Sequence, residues 1–318
     1  MDFEKASDSS STPPVPIRPP HGLLEKVFLN HKGLRAGWRL LLYGLFWITF
    51  SYMLQFVVIG LFGFTADTFS PQRILQEDLL SFAAGLGAAL LMARLERRPV
   101  DIYGLPRAGA FGKLFWQGWL LGLVEVTLLV SLIAAFGGYS FGPLSLHGLE
   151  VARWGALWLV AFVCVGLSEE YLFRGYTQYT LAQGVGFWPA AIFLSVLFGA
   201  GHLRNPGESY MGAAGVVATG LVFAFTLRRT GNLWLAVGWH ASFDFGETFL
   251  YSVPDSGMLL AHHLSYATLH GGMWLTGGSV GPEGSVLSFV TLGVLTFVIH
   301  VLFPARKLPP QPSPREND

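Results

Sequence analysis

Eight stretches of roughly 20 predominantly apolar residues recur along this chain, and a segment of that kind has one stable home, a helix across a lipid bilayer. They run from about Trp38 to Phe64, Leu79 to Leu95, Leu114 to Phe136, Trp154 to Leu181, Phe187 to His202, Met211 to Leu227, Leu233 to Ser252 and Ser285 to Phe303. Hydrocarbon offers backbone groups no partner, so each stretch must close its own hydrogen bonds. The expected fold is therefore all-α: a polytopic helical membrane bundle of about eight transmembrane helices around a polar intramembrane cavity. Hydrophobic residues make up 52% of the 318 and charged ones 13%, which leaves no stretch for a separate soluble domain. Residues 1–33 read as a disordered proline-rich tail with an amphipathic approach, 34–304 as the membrane domain with a core near 150–250, and 305–318 as a second disordered tail. Residues 1–22 are too polar for a cleavable signal sequence.

Charge is more informative in its distribution than in its sum. Twenty basic and twenty acidic residues cancel, so no field points to a nucleic-acid partner. With eight spans, one side of the membrane carries Lys5, Arg18, Lys26, Lys32, Arg35 and Arg39, then Arg94, Arg97, Arg98, Arg107 and Lys113, then Arg228 and Arg229, then Arg306, Lys307 and Arg315. The other side carries only Arg73, Arg153 and Arg204. Lys and Arg gather on the cytoplasmic side, so both termini are expected there, in the cell (plasma) membrane. Cys164 is the single cysteine and excludes an intrachain disulfide.

Several spans contain groups that lipid-facing packing does not ask for. Glu169, Glu170 and Arg174 interrupt the fourth, and each ionisable group costs a few kcal/mol or more to hold in hydrocarbon. At about 100° per residue, Glu170 and Arg174 share a helical face while Glu169 looks away from it. His202 closes the fifth span behind Phe198-Gly-Ala-Gly, and the seventh holds His240 and Asp244 four residues apart. Taken singly, each group has a bland reading: a buried ion pair, an interfacial histidine, a carboxylate and imidazole satisfying each other. Taken together they form an acid/base inventory, with a carboxylate to take a proton from water, a histidine to orient that water and polar groups for a developing oxyanion. No serine sits in a recognisable nucleophile turn, although Ser168 and Ser242 are near.

The ordered set Glu169-Glu170-x-x-x-Arg174, Phe198-x-x-x-His202 and His240-x-x-x-Asp244, on separate apolar segments, resembles the CPBP intramembrane endopeptidases. That family includes the type II CAAX prenyl endopeptidases, which remove the last three residues of prenylated proteins. The resemblance covers about residues 166–246 and implies a glutamate-dependent peptide hydrolase needing no metal or cofactor. Its partners would be the lipid bilayer and a membrane-associated peptide or lipidated protein substrate. Glu169 matches the base that activates water, His202 the histidine that helps hold it, Glu170 and Arg174 the rest of the first motif. His240 and Asp244 match the group that stabilises the oxyanion. Asp244 departs from the asparagine of the best-understood members: an ionised aspartate cannot donate to an oxyanion, so it must be protonated or instead orient His240.

Three rival readings stay open on the residues alone. The same histidines and carboxylates suit a zinc protease, although no His-Glu-x-x-His occurs; the loop residues His262, His263 and His270 read as interfacial or as a second metal site. The buried charges also suit a non-catalytic scaffold or immunity-type protein, and Glu125, Glu169 and Asp244 suit a proton relay in a transporter. Depth poses a separate problem. Glu169 lies ~15 residues, roughly 22 Å, from the outer end of its span, whereas His202 lies at the outer end of the next. They meet if the fifth span is short or tilted, if the span count differs from eight or, the preferred reading, if Arg204 to Tyr210 forms a re-entrant turn after His202.

Overall fold

The computed structural model describes residues 29–30, 33–63 and 70–304. Both expected tails, and most of the amphipathic approach, lie outside the described residues. Leu29–Asn30 (β1) and Gly33–Leu34 (β2) pair as a minimal antiparallel hairpin at the start of the first helix. All eight expected segments are helical: α1 Ala36–Phe62, α2 Pro71–Leu95, α3 Lys113–Ala135, α4 Leu149–Val185, α5 Phe187–His202, α6 Tyr210–Thr230, α7 Trp234–Phe245 and α8 Val286–Leu302. Five of them, α1, α2, α3, α4 and α6, are long and apolar enough to cross a membrane. The other three are shorter: α5 has 16 residues, as expected, α8 has 17, and α7 has 12 before a π turn at Gly246–Leu250. The chain is an all-α polytopic membrane bundle.

Helix α2 begins eight residues before the expected Leu79. Ser70 caps it, its hydroxyl accepting from the Arg73 amide at 3.3 Å, and Pro71 occupies the first turn, where a missing N–H costs nothing. The extension brings Asp78 into the helix.

Helices α3 and α7 run side by side in the same direction through glycine contacts. A Cβ at Gly118 would fall on the Leu235 carbonyl, one at Gly122 on the Trp239 carbonyl and Ser242 hydroxyl, and one at Gly238 on the Phe115 carbonyl. Small residues four apart let membrane backbones approach closely. At this crossing Trp239 Nε1 donates to Glu125 Oε2 at 2.6 Å, a buried bond that fixes α7 in rotation.

The two ends of the bundle are built differently. At one, Arg39 of α1 pairs with Glu96 just after α2 and donates to Gln183 of α4 at 2.7 Å, while Arg98 donates to Tyr179 at 2.9 Å. Stacked Tyr43 and Tyr176, with Tyr103 edge-on, close that end. At the other, the long connection 251–285 folds back over the bundle. Thr268–Leu269 (β4) pairs with Tyr139–Ser140 (β3), Trp158 Nε1 donates to the Ala261 carbonyl at 3.1 Å, and His262 stacks on Trp154 at 3.6 Å.

Candidate active site

Helix α4 passes through a π turn, Tyr171–Gly175, directly after the two glutamates. Such single turns inside α-helices recur at functional sites, and a second one lies just beyond the His240–Asp244 pair. The two adjacent acids part company as the helical angle predicts. The Glu170 side chain is completely buried and accepts from Arg174 at 2.9 Å, whereas that of Glu169 is 28% exposed. Arg174 is buried as well, with its guanidinium 4.4 Å from the centre of the Phe198 ring. That cation–π contact helps keep the charge where water cannot reach it.

His240 gathers three carboxylates. Its Nδ1 is 3.1 Å from Glu170 Oε1, and its Nε2 lies 3.6 Å from Glu169 Oε2 and 3.5 Å from Asp244 Oδ2. A carboxylate already held by Arg174 can only accept, so Nδ1 carries a proton and Nε2 faces the gap between Glu169 and Asp244. The sequence spacing anticipates the pairs Glu170–Arg174 and His240–Asp244; the link between them through Nδ1 is tertiary. On α5, His202 Nδ1 is 2.9 Å from the Phe198 carbonyl one turn back. That carbonyl also only accepts, which leaves Nε2 of a neutral His202 free to accept a proton from water.

Glu169, His202, His240 and Asp244 all line a single cavity of about 290 Å³. Glu170 and Arg174 do not line it and stand behind His240. The depth problem is met by a short α5 and by a connection after it that folds inward: Asn205 lines the cavity and donates to the Ser256 carbonyl at 2.8 Å, and the Gly207 amide donates to the Gly257 carbonyl at 3.0 Å. Glu125, visible in the sequence as a charge in mid-span, reaches the same cavity. Asp78, Asp255 and Glu283 also line it and were not anticipated. In the sequence Asp78 looks like a residue before its span, and the other two look like ordinary loop acids. In place they are far from ordinary, since burial above all pushes the carboxyls of Asp255 and Glu283 up to about 7.

The histidines and carboxylates of the cavity do not converge as a zinc shell would, and neither do His262, His263 and His270. Among the described residues, the group whose potential ligand atoms come together is a different one, Glu247, Asp255 and Glu283, with a carboxylate oxygen from each within 4.8 Å of the others.

Residues 151–246 match a protein-family model described as type II CAAX prenyl endopeptidase Rce1-like. No curated protein and no solved structure matches the chain. The matched segment contains all three sequence motifs and, but for the first two residues of α4, every helix that supplies them.

Proposed function

With residues 151–246 taken as a type II CAAX prenyl endopeptidase-like core, we propose that this integral membrane protein hydrolyses a peptide bond of a membrane-associated substrate, with Glu169 activating the water. The observation that carries the reading is the convergence of Glu169, His202, His240 and Asp244, from three helices, on one cavity. Glu169 takes a proton from a water that also donates to His202 Nε2. The hydroxide so formed adds to the substrate carbonyl, and the negative charge moves onto the carbonyl oxygen. An imidazolium at His240 donates to that oxygen from Nε2, and Asp244, 3.5 Å away, holds the ring in place. The tetrahedral adduct then collapses, the C–N bond breaks, and Glu169 returns its proton to the leaving amine. Glu170 and Arg174 are positioning residues acting through His240. On this reading Asp244 serves by orienting a histidine, which an aspartate does as well as an asparagine.

On this reading the protein lies in the plasma membrane, and its orientation, with both termini cytoplasmic, is supported by Arg39, Arg94, Arg97, Arg98 and Lys113 gathering at the end away from the cavity. The C-terminal tripeptide of a prenylated protein is one candidate substrate. The test is cleavage in liposomes of a quenched prenylated peptide beside its unprenylated counterpart. Wild type should cleave at least one of them, and Glu169→Gln and His202→Ala should each lose on the order of 10²–10⁴-fold in rate with unchanged secondary structure. Wild-type rates in Glu169→Gln would overturn the assignment.

A further inference from the structure

Outside the proposed catalytic set, the structure brings three acids together, Glu247 and Asp255 buried and Glu283 half-buried. Glu247 lies in the π turn that ends α7, Asp255 in the connection beyond that turn, and Glu283 in the short turn before α8. Each contributes a carboxylate oxygen, and the three oxygens lie within 4.8 Å of one another. Two oxygens bound to one ion at about 2.4 Å, within the range for calcium, can be no further apart than roughly 4.8 Å, and every pair in the trio meets that limit. Among the described residues no lysine or arginine forms an ion pair with any of the three.

Glu247 is the observation that asks for a ligand. It is 0% exposed, and neither of its carboxylate oxygens has a hydrogen-bond partner; the Glu283 amide lies near it but outside hydrogen-bonding geometry. A buried carboxylate without a well-made hydrogen bond is costly to hold in a fold. Its neighbours, by contrast, are already oriented. Thr248 donates to Asp255 Oδ2 at 3.1 Å, and the Ser256 amide donates to Glu283 Oε1 at 2.6 Å.

We propose that Glu247, Asp255 and Glu283 bind a hard divalent cation, best matched by calcium, which clamps the connection 251–285 over the cavity. An all-oxygen donor set without histidine or cysteine favours a hard ion over zinc or copper, and irregular loop geometry suits calcium better than the strict octahedron of magnesium. The clamp joins three elements at one point: the end of the helix that carries His240, the loop above the cavity and the start of α8. Asp255 and Glu283 also line the cavity, so the ion bears directly on how the roof of the site is held.

The test is equilibrium dialysis of radioactive calcium against full-length protein, stripped with chelator, in a detergent free of anionic lipid. Wild type should take up one ion per chain with a Kd on the order of 10⁻⁴–10⁻³ M, the range of extracellular calcium modules, and its melting temperature should rise with added calcium. Glu247→Gln and Glu283→Gln, isosteric and checked for folding by circular dichroism, should bind at least tenfold more weakly and lose the calcium-dependent rise. Asp255→Asn provides a third variant if either is poorly folded. Glu208→Gln, a change in a neighbouring acid outside the trio, should bind as wild type. Stripped wild type that takes up no calcium, magnesium or manganese at millimolar concentration would overturn the proposal, and so would uptake that all three variants retain.

Discussion

Two adjacent glutamates with opposite surroundings carry the proposed chemistry at the scale of single residues. Glu169 opens into the cavity; Glu170 is sealed behind it, shared between Arg174 at 2.9 Å and His240 at 3.1 Å. Removing one partner of a buried ion pair leaves the other uncompensated and costs roughly 3–5 kcal/mol. Glu170→Gln should therefore lower thermal stability by about that much, measured as a fall in melting temperature against wild type in the same detergent. Glu169→Gln should leave the melting temperature nearly unchanged, because its side chain reaches the cavity. Equal losses in both would contradict the division of labour. The i,i+4 pairs were legible from spacing alone. The reach of His240 Nδ1 to Glu170, across 70 residues of chain, was not, since no local rule connects α4 to α7. Asp255 and Glu283 were hidden for another reason: an acid in a polar connection carries no mark of burial until the connection is seen to fold inward.

Among the elements, the contact of α3 with α7 positions the site most directly. Gly118, Gly122 and Gly238 let the two backbones touch, and Glu125 then fixes Trp239, the neighbour of His240. Overpacking a tight contact costs typically about 1–3 kcal/mol and displaces backbone. Gly122→Leu should therefore lower the melting temperature and reduce peptide cleavage more than Gly44→Leu, at a position with no neighbour within 4 Å of a Cβ. Comparable effects at the two positions would remove α3 from the account. The pair Gly118-x-x-x-Gly122 was available in the sequence as a small-residue motif, so this contact was readable in principle. Helix boundaries were less so. Hydropathy alone places the start of α2 at Leu79, because Arg73, Glu77 and Asp78 dilute the first two turns, whereas the Ser70-Pro71 cap marks the true start. The short α5, Phe187–His202, was read from hydropathy with its observed bounds, whereas the early end of α7 at Phe245 and the inward fold of the connection after His202 depend on loop packing that hydropathy does not encode.

For the whole molecule, the asymmetry of the two ends makes the sharpest statement. The end held by Arg39, Glu96 and the tyrosine cluster is basic and closed, while the cavity is roofed by the connection at the other end. If the basic end is cytoplasmic, Tyr266 and the rest of the connection face outward and Phe111 faces the cytoplasm. In a Cys164→Ser background, a membrane-impermeant maleimide added to intact cells should label Tyr266→Cys and not Phe111→Cys, two positions exposed by 62% and 46%. The opposite pattern would invert the bundle and open the cavity to cytoplasmic tails. The all-helical architecture was legible throughout, because recurrent apolar length permits little else. The polar roof over the cavity was not, because a connection rich in glycine and histidine gives no sign of its own packing. Glu169 as the base that activates water is the central proposal, and the most direct measurement separates binding from cleavage in Glu169→Gln reconstituted into liposomes. This variant should bind the peptide cleaved by wild type with similar affinity and turn it over at least about a hundredfold more slowly. Turnover at the wild-type rate by a folded, substrate-bound Glu169→Gln protein would contradict that proposal.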